Sequence, residues 1–232
     1  MNTCLSCGKE FIKKTEFDSD VCPTCLGIEN NYLYNAKRIL VDLIYSQARV
    51  ENLVVTFASI EDILNNIPVN ATPLTINKVC CLRDGWKYIF ENIYKKCDLV
   101  FLEELHEIIA RFDVDYRYLG KVRQYPVFIS CTNWMPSVPN VDLIENSLKH
   151  VETVEGAYLA GFTVMREQLF KDGNKRVGSF IINKLLIEKE LGVFIVPDSL
   201  DGVYKRKLVE FYESNNASSL IKWCLENCHR KL

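Results

Sequence analysis

The chain has 232 residues and a formal net charge of −2, with 48% hydrophobic and 25% charged residues. That balance supports one good-sized folded core with a small appendage and excludes a chain that is mainly disordered. It gives no whole-chain electrostatic signal for DNA or RNA, and no apolar run reaches the roughly 18 residues of a membrane helix, so neither partner is expected.

The N-terminus, Met1-Asn2-Thr3-Cys4, has no basic segment ahead of an apolar stretch. No secretory signal is read, and the expected compartment is cytoplasmic and reducing, where clustered cysteines mean metal more often than disulfides. Cys4-Leu5-Ser6-Cys7 and Cys22-Pro23-Thr24-Cys25 are two C-x-x-C pairs separated by fourteen residues. A two-residue gap lets the chain turn around one tetrahedral ion, and four thiolates fill its coordination sphere. The pattern resembles a zinc ribbon over residues 1–29, with structural Zn2+ on Cys4, Cys7, Cys22 and Cys25. The other six cysteines are scattered and read as small, mostly buried hydrophobes.

From residue 30 to 232 the periodicity is helical. Leu33, Ala36, Ile39, Leu40, Leu43 and Ile44 share one face of a helix predicted over 30–48. Ser59 is expected to cap a short helix over 60–65. Longer helices are predicted over 75–95 and 100–112. The stretch 116–139, with four β-favouring side chains at 125–129 and several prolines, reads as a short strand or hairpin with an irregular exit. Helices are then predicted over 142–151, 152–168, 176–191, 202–213 and 217–228. His106, His150 and His229 read as surface or capping residues. The fold class is mainly α.

The polar break Lys171-Asp172-Gly173-Asn174-Lys175, followed by Arg176, separates two strongly apolar helices. A helix N-terminus offers free N–H groups and the positive end of a dipole. Gly173 allows close backbone approach, Asn174 can cap the helix, and Lys175 and Arg176 add charge, Arg176 with a planar fork suited to phosphate. Asp172 is the carboxylate that would hold magnesium beside a polyphosphate. On residue chemistry alone this is either an anion site or an ordinary capped helix–loop–helix connection.

Phe170-x-Asp172-Gly-Asn-Lys-Arg176 between two helices resembles the Fic (Fido) signature, His-x-Phe-x-Asp/Glu-Gly-Asn-Gly/Lys-Arg. The likeness extends over about residues 31–228. It includes Tyr45 to Thr56, Leu102-Glu-Glu-Leu-His106, Tyr116 to Pro136, and Lys189 to Pro197 with the helices after it. The resemblance implies a Fic helical domain with a short β-hairpin flap. It implies ATP and Mg2+ as cofactors, with Asp172 on the metal, Gly173, Asn174 and Lys175 lining the anion pocket, and Arg176 on phosphate. Val127, Phe128 and Ile129 would align a segment of a target protein by strand addition. The reaction implied is AMP transfer from ATP to a target hydroxyl.

Three positions depart from the signature. Gln168 occupies the place of the catalytic histidine, and glutamine has no proton equilibrium with which to act as a base. Ser179 stands where a second arginine is usual. Lys175 replaces glycine, as in the death-on-curing toxins, which transfer a phosphate. Glu51 would correspond to an inhibitory glutamate, with Gln47 in place of the family's Ser/Thr. A weakened nucleotidyltransferase, a silent nucleotide-binding or regulatory module, and a phosphoryl transferase therefore all remain as readings.

Overall fold

The computed structural model describes residues 2–6, 8, 10, 11, 20 and 32–232. Cys7, Cys22 and Cys25 of the expected zinc set lie outside the described residues, as does the 29/30 boundary. At the N-terminus β1 (Asn2–Thr3) pairs antiparallel with β2 (Glu10–Phe11). Buried Cys4 accepts a hydrogen bond on its carbonyl from Gly8 N–H at 2.9 Å, and Gly8 has φ +69°, the conformation glycine adopts without penalty.

The predicted helix over 30–48 is two helices, α1 (Tyr32–Arg38) and α2 (Leu40–Val50), which break at Ile39. In α3 (Phe57–Leu64) the cap is Thr56, one turn earlier than expected. Thr56 Oγ1 accepts Ser59 N–H at 3.1 Å and Ser59 Oγ accepts Thr56 N–H at 2.9 Å, a reciprocal box with serine as the returning partner. Thr72 caps α4 (Pro73–Glu91), where Pro73 fills the first helical position and forfeits no hydrogen bond. Asp98 caps α5 (Leu99–Ile109), and Asn140 caps α6 (Val141–Leu148).

Two helices carry the centre. Thr153 caps α7 (Val154–Glu167), and α8 (Asn174–Glu188) is buried over most of its length. They approach closely because glycines meet at the crossing. A Cβ on Gly161 would stand 2.3 Å from Ile182 Cγ1 and 2.5 Å from the Gly178 carbonyl; one on Gly178 would meet Met165 and the Gly161 carbonyl. The contact to backbone cannot be relieved by a rotamer change. Gly161→Ala should therefore cost about 2–3 kcal/mol in denaturant unfolding. A loss below about 0.5 kcal/mol would show that the two helices can separate freely, contrary to this packing.

The core runs through all of these helices, with Trp86, Phe101, Tyr158, Phe162 and Phe180 fully buried. Behind α8, β3 (Val193–Phe194) pairs antiparallel with β4 (His229–Arg230), and α9 (Asp201–Ser214) and α10 (Ser218–Asn227) close the bundle. This strand pair was not anticipated from the sequence. The expected strand at 125–129, by contrast, does not form: residues 121–140 run without a ladder, joined across by one bond, Val127 N–H to the Pro136 carbonyl at 3.1 Å. Pro126, Pro136 and Pro139 bring no N–H to such a ladder. The segment is instead fastened by side chains, with Trp134 stacked 3.8 Å from the Arg166 guanidinium. Among the six scattered cysteines, Cys131 is exposed and does not behave as a buried hydrophobe.

Among the described residues no helix is long and apolar enough to cross a membrane.

Candidate functional site

The polar break lies between the end of α7 and the start of α8. Gln168 leaves α7 in the left-handed region (φ 50°, ψ 58°), and Gly173 enters α8 at φ 78°. Gly173, not Asn174, is the N-cap residue and brings no side chain of its own; the Asp172 carboxylate accepts the Gly173 N–H at 2.6 Å. Asn174 instead latches the bend. Its Oδ1 accepts Phe170 N–H at 2.8 Å, and its Nδ2 donates to the Phe170 carbonyl at 2.9 Å and to Gln168 Oε1 at 3.1 Å. The other end of the Gln168 amide donates to the Met165 carbonyl at 2.6 Å. Both ends of that side chain are thus engaged within the bend.

The bend opens on a cavity of about 220 Å³. One wall is Gln168, Lys171, Asp172, Gly173, Asn174 and Lys175; the facing wall is Phe128, Ile129 and Ser130, with Glu51 and Tyr212 completing it. The structure therefore brings together most of the residues singled out from the sequence, with two of the three flap residues opposite the loop. A larger cavity of about 370 Å³ lies toward the other end of α8, around Lys184 and Glu188, and shares none of these residues.

Arg176 is placed differently from the expectation that it grips phosphate. It is buried beneath the loop, off the cavity wall, where Nη1 donates to the Asp113 carboxylate and to the Ile109 carbonyl at 3.0 Å. Asp113 also pairs with Lys78 at 2.5 Å. Burial raises the Asp113 carboxyl, but Arg176 and Lys78 outweigh it and hold the group below the usual carboxylate range. Glu51 shares Arg176, at 3.7 Å, and lies 3.5 Å from Lys175. Tyr212 is buried on the cavity wall and its hydroxyl has no hydrogen-bond partner among the described residues. Burial pushes its phenol well above the ordinary range, so it stays a donor.

His106 is neither a surface residue nor a cap. It is fully buried under the bend and stacks on Phe170 at 4.0 Å and 7°. Its position on the apolar face of α5, four residues after Leu102 and three before Ile109, was the available sequence signal. Arg123 is the other residue that pattern reading missed. Its guanidinium donates to the carbonyls of Gln168 (2.7 Å), Glu167 (3.1 Å) and Tyr125, satisfying the end of α7 and fastening the flap there.

No family model matches the chain, and no curated protein does. Solved structures do. The chain is similar to a Fic domain-containing signaling protein from Bacteroides thetaiotaomicron at TM-score 0.62 and 17% identity, covering 81% of this chain and 85% of that one. It is similar to a Fic family protein from Desulfovibrio desulfuricans at TM-score 0.63 and 16% identity, covering 88% and 66%. It is similar to a fragment of Fic-1 from C. elegans at TM-score 0.68 and 14% identity, covering 88% and 71%. The architecture is that of the Fic-domain proteins. The chain has the Fic fold.

Proposed function

We propose that the chain binds the phosphate tail of a nucleotide at the start of α8, and that ATP with Mg2+ is its ligand. The observation that supports this most is the N-terminus of α8 opening on a walled cavity, with the Gly173 N–H held by Asp172 and the N–H groups of the first turn beyond it without a helical partner. First-turn N–H groups of a helix have no partner within it and favour an anion. Lys171, Lys175 and the Tyr212 hydroxyl, which has no partner among the described residues, add donors around the cavity. At about 220 Å³ the cavity is smaller than the roughly 300–1,000 Å³ of typical small-molecule sites, which suits a phosphate tail rather than a whole nucleotide.

Asp172 is exposed at the mouth, and a single carboxylate with phosphate oxygens and water is a set that Mg2+ accepts. The ion would offset phosphate charge there. Lys175 is the cation that meets the ligand in this reading, while Arg176 braces the helix from below. Glu51 competes with phosphate for Lys175, which is the sense in which it would inhibit.

The reaction such a site serves is AMP transfer to a hydroxyl of a target protein held along Val127, Phe128 and Ile129. Without a positioned base the step loses roughly a factor of 10²–10⁴. The two engaged ends of the Gln168 amide favour the second reading, a module that grips nucleotide without transferring it. Phosphoryl transfer is the third, on the strength of Lys175 and Ser179.

Calorimetry with ADP and magnesium tests the binding claim, with Lys175→Met expected to weaken it about 5–10-fold. If the native protein takes up no ADP or ATP, the proposal is wrong. ATP labelled at the α or the γ phosphate, with magnesium and a lysate, separates the reactions: label from α means AMP transfer, label from γ phosphoryl transfer, and neither leaves binding alone. For the N-terminal segment we propose structural zinc on Cys4, Cys7, Cys22 and Cys25, checked by metal analysis of the purified protein.

A further inference from the structure

We infer that His106 is a positioning residue that ties the two walls of the cavity, the root of the flap at Gly120 and the phosphate loop at Asp172, into one unit. Its use by a ligand rests on the proposed nucleotide site; the tie itself does not.

A neutral imidazole has one donor and one acceptor. His106 Nδ1 accepts the Gly120 N–H at 2.9 Å, so the ring proton sits on Nε2, which donates to the Asp172 carbonyl at 3.0 Å. Both ring nitrogens are used, one accepting from Gly120 and one donating to Asp172 in the loop that lines the cavity. The ring lies flat on Phe170 of the same bend and is fully buried, so it follows the loop rather than moving independently of it. Gly120 is fixed in turn: its φ is +64°, and a Cβ there would meet the Glu107 side chain at 2.6 Å. From Gly120 the chain runs directly into the segment that carries Phe128, Ile129 and Ser130.

A displacement of the Asp172 carbonyl therefore moves the imidazole, and the imidazole moves the start of the flap. The Arg123 side chain fastens the same flap to Gln168 and Glu167, not to Asp172, while its backbone N–H donates to the Leu169 carbonyl at 3.0 Å and is untouched by a side-chain substitution. The two ties are separable by mutation.

The test is amide exchange across residues 119–130 and 169–175, first without ligand and then with ADP and magnesium. His106→Phe keeps a ring on Phe170 and removes both hydrogen bonds. Without ligand, exchange should rise roughly ten-fold in both segments together, since each loses a bond to the same ring. With ADP, the native protein should gain protection in both segments, and the His106→Phe protein in 169–175 alone. Arg123→Met is the comparison: it should loosen the flap while leaving residues 169–175 unchanged. Should His106→Phe fail to fold, His106→Gln retains a donor for Asp172 without the stacking and should free the flap root. Faster exchange in the loop with an unchanged flap in the ligand-free variants would overturn the inference. So would equal flap protection by ADP in native and variant proteins. Failure of the native protein to bind ADP would instead count against the nucleotide site, leaving the ligand-free comparison to decide on the tie.

Discussion

Asp113→Ala should destabilise the protein by about 3–5 kcal/mol, the range for breaking a buried ion pair by removing one partner. The carboxylate is 9% exposed and meets Arg176, whose side chain is 7% exposed, and Lys78, which is 25% exposed. Lys78 can turn to water when its partner goes. Arg176 cannot, because the guanidinium is enclosed under the bend and keeps only the Ile109 carbonyl and the more distant Glu51 carboxylate. An uncompensated charge in that position is the costly event. Asp113→Asn retains an acceptor for Arg176 and should lose less. Urea unfolding of the three proteins measures the difference. A loss under 1 kcal/mol for Asp113→Ala would mean that Glu51 alone carries Arg176, and that the brace described here is redundant.

The second large effect is a dependence on pH. Burial lowers the His106 pKa from 6.5 to about 4, and the Arg176 guanidinium pushes the same way. The hydrogen bond to the Asp172 carbonyl and the carboxylates of Asp172 and Asp113 oppose them. Glu107, beside Gly120, is the other charged group near this contact. The folded protein thus prefers the neutral ring, while the unfolded chain takes up a proton from pH 6.5 downward. Stability from this group is complete above pH 6.5 and is lost as pH falls toward 4, about 3 kcal/mol in all at about 1.4 kcal/mol per unit. Carboxylates add their own acid loss, Asp113 among them, so the quantity to measure is the native protein minus His106→Phe. That difference should shrink between pH 6.5 and 4 and stay level from pH 7 to 8. A difference that is constant across the whole range would place the ring in contact with solvent.

Much of the fold could be read from residue spacing, because an apolar stripe at three- and four-residue intervals needs no knowledge of the partner helix. The two central helices and the loop between them were found this way, to within a few residues at each end. Cap positions slipped where two hydroxyls compete, as at Thr56 and Ser59, and α1 and α2 were merged because their stripe continues across Ile39. The strand expected at 125–129 failed for a different reason: β propensity counts side chains, whereas pairing needs donors that prolines lack. The site was half legible. Asp172, Gly173, Asn174 and Lys175 lie next to one another in sequence, so their convergence is local. Asp113, His106, Arg123 and Tyr212 reach the same place from other elements, and of these only His106 carries a sequence signal, its place on the apolar face of α5. Arg176 shows the limit most clearly, since its guanidinium could equally face a phosphate or a carboxylate, and only the location of Asp113 decides.

The left-handed turn at residue 168 limits which side chains the position accepts. Most side chains tolerate that conformation poorly, and asparagine, aspartate and histidine are the ones found there several-fold above expectation. Glutamine, a longer chain, holds it here by bonding at both ends of its amide. Histidine is among the residues found in this region, so Gln168→His asks nothing new of the backbone.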